Sequence, residues 1–358
     1  MRVVVGLAGL VSIVLMLWDA FETVVLPRRV SRHVRVVLLL RFVWSGWRSV
    51  FGRIQRAGRR ETYLSFYGPL ATLLLLTVWA GGMVIGFAML QWGLGSQVAA
   101  HERHPGFGTD AYLSGTTFFT LGLGDVVPQS GAARVVLVIE SGVGFSFLAL
   151  VISYLPIIYQ SFSRREARIS MLDAWAGSPP SAGELLRRAG KNTELLERFL
   201  SEWEQWAAEL LESHISYPVL AFFRSQHDNE SWLSALTAVL DTCALAMGAL
   251  DGNARRVAEV TFAMARHAVV DICNVLDVPP RPPDENRLAD ADRTALFAML
   301  RAAGCPLRAD GDAAARVSQL RGTYEPYVYS LSQRLLMPLP SWVGVPGARD
   351  NWQKSRWR

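Results

Sequence analysis

The sequence lacks the residue patterns that identify the common enzyme and nucleotide-binding classes. No Gly-x-Gly-x-x-Gly follows a strand pattern, and the chain has no phosphate-binding loop, no His-x-x-x-His pair and no nucleophile motif. These absences argue against a dinucleotide-binding fold, a nucleotide hydrolase and a zinc hydrolase. We therefore predict that the protein is not an enzyme and that it has no cofactor.

Cysteine and lysine are also scarce. The three cysteines, Cys243, Cys273 and Cys305, lie far apart in the C-terminal half, with no Cys-x-x-Cys spacing and no histidine at ligand distance in sequence. This pattern favours buried free thiols in a reducing compartment over a disulfide or a metal site, so we expect this half to be cytoplasmic. Lysine occurs only at Lys191 and Lys354, and such a dominance of arginine is typical of a GC-rich, bacterial coding sequence.

Apolar residues, in contrast, are abundant and form long runs. The chain has 358 residues, 51% of them hydrophobic, and its apolar runs cover residues 3–26, 64–94 and 131–162. Each run exceeds the about 20 helical residues that cross a bilayer, so we predict an all-α, multi-pass protein of the plasma or inner membrane. The first run has no small-residue cleavage site near its end. We therefore interpret residues 1–27 as an N-terminal transmembrane helix and not as a signal peptide.

A basic segment, residues 28–61, separates the first two runs. Its arginines extend from Arg28 to Arg60, and no acid precedes Glu61. Positive flanking charge lies on the cytoplasmic side, which puts the N-terminus outside and this segment inside. We predict an amphipathic helix on the anionic inner leaflet, with lipid and not nucleic acid as its partner. Many of the arginines share a three-residue register, which resembles a voltage-sensing helix, so a spanning helix is the alternative.

Beyond residue 165 the sequence changes character. Residues 177–183 form a Gly/Ser/Pro-rich linker, and helical apolar patterns follow it. These patterns cover residues 193–213, 231–250, 254–276, 284–303 and 313–336. We predict a helical cytoplasmic domain over residues 166–340, which could bind an unknown regulator, and a basic tail over residues 341–358.

A glycine-rich loop stands between the second and third apolar runs. The stretch TTFFTLGLGDVVP, residues 116–128, follows a short amphipathic pattern at residues 110–119 that predicts a half-length helix. An irregular loop at membrane depth is tolerated only where it lines a cavity or is buried in protein. Glycine allows several carbonyl groups to point the same way, and a ring of carbonyl oxygens can replace the water around a monovalent cation.

The residues TLGLGD, 120–125, resemble the selectivity filter of potassium channels, whose usual form is Thr-Val-Gly-Tyr-Gly-Asp. The resemblance covers residues 62–165: an outer helix at 64–94, a pore helix at 110–119, the filter at 120–125 and an inner helix at 131–162. It implies a homotetramer that conducts K⁺ passively, since four loops are needed to close the carbonyl ring. By the resemblance, Asp125 braces the outer mouth. The residues that would line the ion path, with K⁺ held at the first four, are Thr120, Leu121, Gly122, Leu123 and Gly124.

Departures from the usual family pattern near the filter include Leu123, Phe119, which replaces a frequent threonine, and Tyr112. Leu123 replaces a tyrosine, so the aromatic collar that holds the filter at its width is missing. Tyr112 stands where the family often has tryptophan, and we expect its hydroxyl to bond Asp125. The departure at Leu123 leaves a weakly selective cation channel as an alternative. A membrane-anchored signalling or scaffold protein that does not conduct is the other.

The last apolar run contains three unusual residues. Gly144 is a candidate gating hinge, with close helix packing as the alternative, and Pro156 is a candidate bend at a gate. Glu140 is an acid in an otherwise apolar span. We expect it to brace the filter from behind, neutral or bonded to Thr116 or Thr117, and a cavity-facing Glu140 is the alternative.

Overall fold

The computed structural model describes residues 1–24, 35–95, 98–99, 106–227, 229–308, 312–344 and 350–353. The chain divides into two compact units. The first unit contains Met1–Val43 and Pro69–Tyr159, and the second contains Trp44–Gly68 and Gln160–Arg358. The described chain is mainly helical, as the sequence predicts.

Six helices and one short strand pair precede the C-terminal bundle. They are α1 (Arg2–Val24), α2 (Arg35–Phe51), α3 (Ala57–Ser65), α4 (Tyr67–Gly93), β1 (Val98–Ala99), α5 (Phe107–Phe118), β2 (Val127–Pro128) and α6 (Gly131–Ala176). The bundle then contains α7 (Ala182–Ala189), α8 (Thr193–Ser216), α9 (Trp232–Ala249), α10 (Asn253–Leu276), α11 (Asp290–Ala302), α12 (Ala313–Gly322) and α13 (Glu325–Leu335). Short 3-10 turns lie at Pro218–Phe222 and Asn351–Gln353.

Helices α1 and α4 pack antiparallel in the first unit. A Cβ on Gly93 would lie 2.3 Å from the Cα of Gly6, and a Cβ on Gly9 would lie 2.5 Å from the carbonyl oxygen of Gly86. Glycine at these positions lets the two backbones touch, as it does between membrane helices generally. The N-terminal end of α1 therefore lies beside the C-terminal end of α4.

Among the described residues, four stretches are long and apolar enough to cross a membrane: Arg2–Val24, Gly58–Gly93, Gly131–Ala176 and Trp232–Ala249. The fourth, α9, has 94% of its apolar window buried inside the protein. A helix that is apolar on all sides and covered by other helices is the centre of a globular bundle. We therefore take the first three as the spans, in agreement with the three apolar runs of the sequence.

The basic segment 28–61 differs in part from its prediction. Residues 28–34 lie outside the described residues, and the rest forms α2 and most of α3. Trp44, an aromatic residue of this segment, is 1% exposed and contacts the rings of Tyr67 and Phe222, at 4.7 and 5.3 Å. Its indole nitrogen donates to the carbonyl oxygen of Arg334 at 2.8 Å. The face of α2 that carries Trp44 therefore packs within the second unit.

The inner helix is longer than predicted. Helix α6 continues through Pro156 and past residue 162 to Ala176. Ile169, Leu172 and Ala176 are at most 2% exposed, and their helical spacing explains why the helix persists as part of the second unit. The predicted linker 177–183 is consequently a turn inside this unit, and Ser181 accepts a hydrogen bond from the Glu184 amide at 3.2 Å to cap α7.

Other predicted boundaries shift by a few residues. The outer helix, predicted at 64–94, is divided into α3 and α4, and the pore helix, predicted at 110–119, is α5 at Phe107–Phe118. The pattern at 313–336 contains two helices, α12 and α13, because the chain turns at Thr323 and Tyr324.

The second unit has an ionic cluster in its core. Asp241 is fully buried, accepts from the Tyr324 hydroxyl at 2.5 Å and pairs with Arg287, which also contacts Glu325 at 3.3 Å. Buried charges persist only when they are paired in this way. Trp342, in the predicted tail 341–358, is 1% exposed and lies 5.7 Å from the Arg287 guanidinium. The start of the predicted tail is therefore part of the folded core.

Candidate functional site

Helix α5 positions the glycine loop. It begins after Gly106, where Thr109 Oγ1 accepts from the Gly106 amide at 3.2 Å, and it ends at Phe118. The C-terminal carbonyl groups of a helix carry partial negative charge. Because residues 120–125 follow this end directly, the helix directs that charge toward the loop.

The amides of the loop fold back onto the end of α5. The Leu121 and Gly122 amides both donate to the carbonyl oxygen of Thr116, at 2.7 and 3.2 Å, and the Thr120 amide donates to the Thr117 carbonyl at 3.0 Å. No donor among the described residues reaches a carbonyl oxygen of residues 120–124. The N–H groups are therefore satisfied within the chain, while the carbonyl oxygens stay available to a ligand.

Backbone dihedrals alternate along the same loop. Thr120, Gly122 and Gly124 have φ of 58°, 55° and 79°, whereas Leu121 and Leu123 have negative φ. Alternating left- and right-handed residues bring N–H groups together on one side and leave the carbonyl groups on the other. Positive φ is free for glycine but uncommon for a β-branched residue, so the threonine is held there by its surroundings.

Two contacts hold the far end of the loop. The Tyr112 hydroxyl donates to Asp125 Oδ2 at 3.0 Å, which is the contact expected from the sequence. Strand β2 pairs antiparallel with β1, with Val98 opposite Pro128 and Ala99 opposite Val127. The residues that follow the loop are thus tied to the segment that precedes α5.

Glu140 lies behind α5, in a different hydrogen-bond arrangement from the predicted one. It is fully buried and contacts Ser114, and not Thr116 or Thr117. Thr116 is unsuited to the role because its hydroxyl donates within α5 to the Leu113 carbonyl at 3.0 Å. The sequence did not identify Ser114 as the partner of Glu140, because it is a small polar residue in a short apolar helix and has no other distinguishing feature.

The Ser114 hydroxyl has two oxygen atoms within reach. The single Ser114 hydroxyl proton points to one acceptor, and Ser114 Oγ lies 2.7 Å from the Val84 carbonyl oxygen as well as against Glu140 Oε1. One hydroxyl proton can serve only one of the two oxygens, and a neutral Glu140 would supply the proton for the second contact. Glu140 Oε2 has no partner among the described residues, and a charged carboxylate buried that way would be costly.

Replacing Glu140 with Gln is expected to leave ion flux within about twofold of the original protein, because the amide also donates to Ser114. Replacing Glu140 with Ala should lower flux, since the contact between residue 140 and Ser114 behind α5 is then lost. The measurement is K⁺ flux into liposomes for the two variants at equal protein density. If the Gln variant lost most of its flux, a charged Glu140 facing the ion path would be the correct interpretation.

The two gating candidates differ in their surroundings. A Cβ on Gly144 would lie 2.0 Å from the carbonyl oxygen of Phe118, at the end of α5. This contact favours close packing of α6 against the pore helix as the reason for the glycine. Pro156 is exposed, and α6 continues on both sides of it.

The loop and the following helix expose large apolar side chains in the single chain. Leu121 and Leu123 are each 64% exposed, as are several residues of α6, among them Val138 at 73%. Only 11% of the apolar window of α6 is buried. Exposed apolar surface of this extent is typical of contact with lipid or other protein chains.

Comparison with known proteins decides the nature of this segment. Residues 73–161 match a protein-family model described as an ion channel. This segment is therefore similar to the pore module of ion channels. The predicted resemblance is thereby confirmed, and the match contains α5, the loop, Asp125, Glu140, Gly144 and Pro156.

A membrane protein also resembles part of the chain. It is from Bacillus subtilis (strain 168), bears the name "Uncharacterized membrane protein YdjJ", and is 26% identical over 208 residues. The alignment covers 56% of this chain and 57% of that protein, so the chain spans little more than half of this relative's length. No solved structure matches the chain. The pore module and the apolar helices together make this a membrane protein with an ion-channel domain.

Proposed function

We propose that the protein is a homotetrameric potassium channel in which K⁺ passes between the carbonyl oxygens of residues 120–124. The observation that carries the proposal is the arrangement of the loop. Its amides are bound to the end of α5, its φ angles alternate in sign, and its carbonyl oxygens have no donor among the described residues. Such carbonyl groups can replace the hydration shell of a monovalent cation.

Four copies are needed for this function. One loop presents carbonyl groups on one side only, so a single chain cannot surround an ion. Leu121, Leu123 and α6 expose large apolar side chains in the single chain. Neighbouring copies packed around the loop would cover these side chains, which supports an oligomer. A closed ring of identical subunits satisfies this requirement by symmetry.

The orientation follows from charge and from α1. Arginines are concentrated at residues 41–60, before α4, so we place this end on the cytoplasmic side of the plasma or inner membrane. Because α1 is antiparallel to α4, the N-terminus then lies outside with the filter. The helical second unit would be cytoplasmic and would assemble or gate the pore, with a regulator as a possible partner.

A weakly selective cation channel is the second candidate, and Leu123 favours it. Its side chain is 64% exposed and has no hydroxyl or indole group to bond a neighbouring helix. A filter without such bonds is held less firmly at the width that suits K⁺. The two candidates share the ion path and differ only in selectivity.

The test is ion flux into liposomes that contain the purified protein. A potassium channel should let K⁺ enter at least about tenfold faster than Na⁺, equivalent to about 1.4 kcal/mol of discrimination. Similar rates for the two ions would favour the weakly selective channel. A tetramer that passes neither ion would contradict both and favour the signalling or scaffold function.

A further inference from the structure

One surface of the second unit combines aromatic and basic side chains at the N-terminal end of α4. The rings of Trp47 and Phe51 lie 4.6 Å apart, and Phe51 stacks on Tyr63 at 5.0 Å. Val50 and Phe66, one helical turn from Trp47 and Tyr63, are 63% and 52% exposed. We call these five residues, together with Arg48, Arg53, Arg56, Arg59 and Arg60, the aromatic–arginine surface.

The position of this surface along α4 places it at the edge of a bilayer. Helix α4 has 27 residues, and at about 1.5 Å per residue it is about 40 Å long. That length equals a hydrocarbon core of about 30 Å plus part of both headgroup layers. Phe66 immediately precedes α4, and Tyr63 lies one turn earlier, so both lie at headgroup level. Aromatic side chains are enriched at this depth.

Acidic side chains among the described residues leave most of the positive charge of the surface unpaired. Glu61 is the only acid between residues 35 and 95, and Arg224, itself buried, binds it at 3.1 Å. Among the described residues, Arg53, Arg56 and Arg59 have no acidic partner and are exposed. Exposed arginines that lie near partly exposed aromatic residues in the sequence complement a surface that is apolar inside and negative outside.

We propose that the aromatic–arginine surface binds anionic phospholipid, with its rings among the upper acyl chains and its arginines on the phosphate groups. This goes beyond the basic helix predicted from the sequence, because the structure removes Trp44 from the lipid contact and adds Tyr63 and Phe66 from a separate helix. Each arginine near an anionic leaflet adds about fivefold to binding. The site does not depend on whether the pore conducts.

The test uses quenching of Trp47 fluorescence by lipids with brominated acyl chains. The purified protein is reconstituted in phosphatidylcholine vesicles that contain either brominated phosphatidylglycerol or brominated phosphatidylcholine at equal fraction. The fluorescence of the Trp47→Phe variant is subtracted from that of the original protein, and the difference is the signal of Trp47 alone. We expect the anionic lipid to quench it with an apparent binding constant about fivefold or more higher.

Two triple variants distinguish the effect of the arginines in this surface from the effect of the total positive charge of the protein. Arg53→Gln, Arg56→Gln and Arg59→Gln together should lower the preference for the anionic lipid by at least about fivefold, with quenching by phosphatidylcholine retained. The control triple changes exposed arginines of the helical bundle, Arg198→Gln, Arg256→Gln and Arg301→Gln, and should keep the preference.

A second probe covers the case in which Trp47→Phe does not fold. Phe66→Trp places the indole at an exposed position, and its added emission should show the same lipid preference. Three results would overturn the proposal: no quenching of either probe, equal quenching by the two lipids in the original protein, or a preference that survives loss of the three arginines. The last result would indicate a phosphate-binding site elsewhere in the chain.

Discussion

Replacing Gly122 with Ala is expected to abolish ion flux while leaving the assembled protein intact. Gly122 has φ of 55°, where a Cβ costs about 1–2 kcal/mol per residue. Four copies around one ion path bring the cost to about 4–8 kcal/mol, which corresponds to about a thousandfold or more in the population of the conducting filter. The new residue would relieve the strain by turning its peptide, and the carbonyl ring would then be broken.

Flux and assembly must be measured together on the Gly122 variant. Liposome K⁺ flux should fall to the level of empty vesicles, while the elution volume on size exclusion stays unchanged. Gly58→Ala is the matched control, because Gly58 is helical, exposed and has no atom within 4 Å of an added Cβ. Persistent flux in the Gly122 variant would show that ions do not pass along these carbonyl groups.

Replacing Arg165 with Met is expected to unfold the second unit at a much lower temperature. Arg165 lies on α6 with its side chain 4% exposed and pairs with Glu166 at 3.0 Å. It donates at 2.9 Å to each of the carbonyl oxygens of Leu220 and Phe223. Burial and the neighbouring guanidinium lower the pKa of His214 to about 3, so the imidazole stays neutral beside Arg165.

Loss of Arg165 leaves a buried carboxylate and two carbonyl groups without their donor. Breaking a buried pair from one side costs about 3–5 kcal/mol, and for a unit of this size each kcal/mol lowers the unfolding temperature by about 2–4 °C. We expect a decrease of about 10 °C in the tryptophan-fluorescence melting curve of the purified chain. The ratio of K⁺ to Na⁺ flux in folded protein should not change, because the filter is untouched.

Arg168→Met is the control for that experiment. Arg168 is on the same helix, its side chain is 37% exposed, and its nitrogen is 3.9 Å from Glu202. An exposed pair of this kind contributes at most about 1 kcal/mol. If the two variants melted at the same temperature, the hydrogen bonds of Arg165 would not be holding the 3-10 turn to α6.

Local signals were enough for the parts of the protein that depend on neighbouring residues. The three spans were predictable because each is a single apolar run of sufficient length. The loop at residues 120–125 was predictable because its glycines and threonine form a compact motif between two such runs. The contact of Tyr112 with Asp125 could also be anticipated, because in the family that the motif resembles an aromatic residue at the position of Tyr112 bonds this aspartate.

Contacts between distant residues could not be predicted in the same way. Tryptophan is a residue type that often anchors a helix at a membrane interface. The ring of Trp44 nevertheless packs against the rings of Tyr67 and Phe222. The end of α6 was misplaced because hydropathy falls after residue 162 while the helix continues on buried positions such as Leu172.

The sequence alone determined that this is a helical membrane protein with a carbonyl-lined loop between two spans, because hydropathy and backbone freedom are properties of contiguous residues. Only the tertiary structure decided that Glu140 contacts Ser114, that Gly144 touches the end of α5, and that Arg53, Arg56 and Arg59 have no acidic partner among the described residues. Each of these depends on which helix faces which, and that is set by packing of residues far apart in the chain.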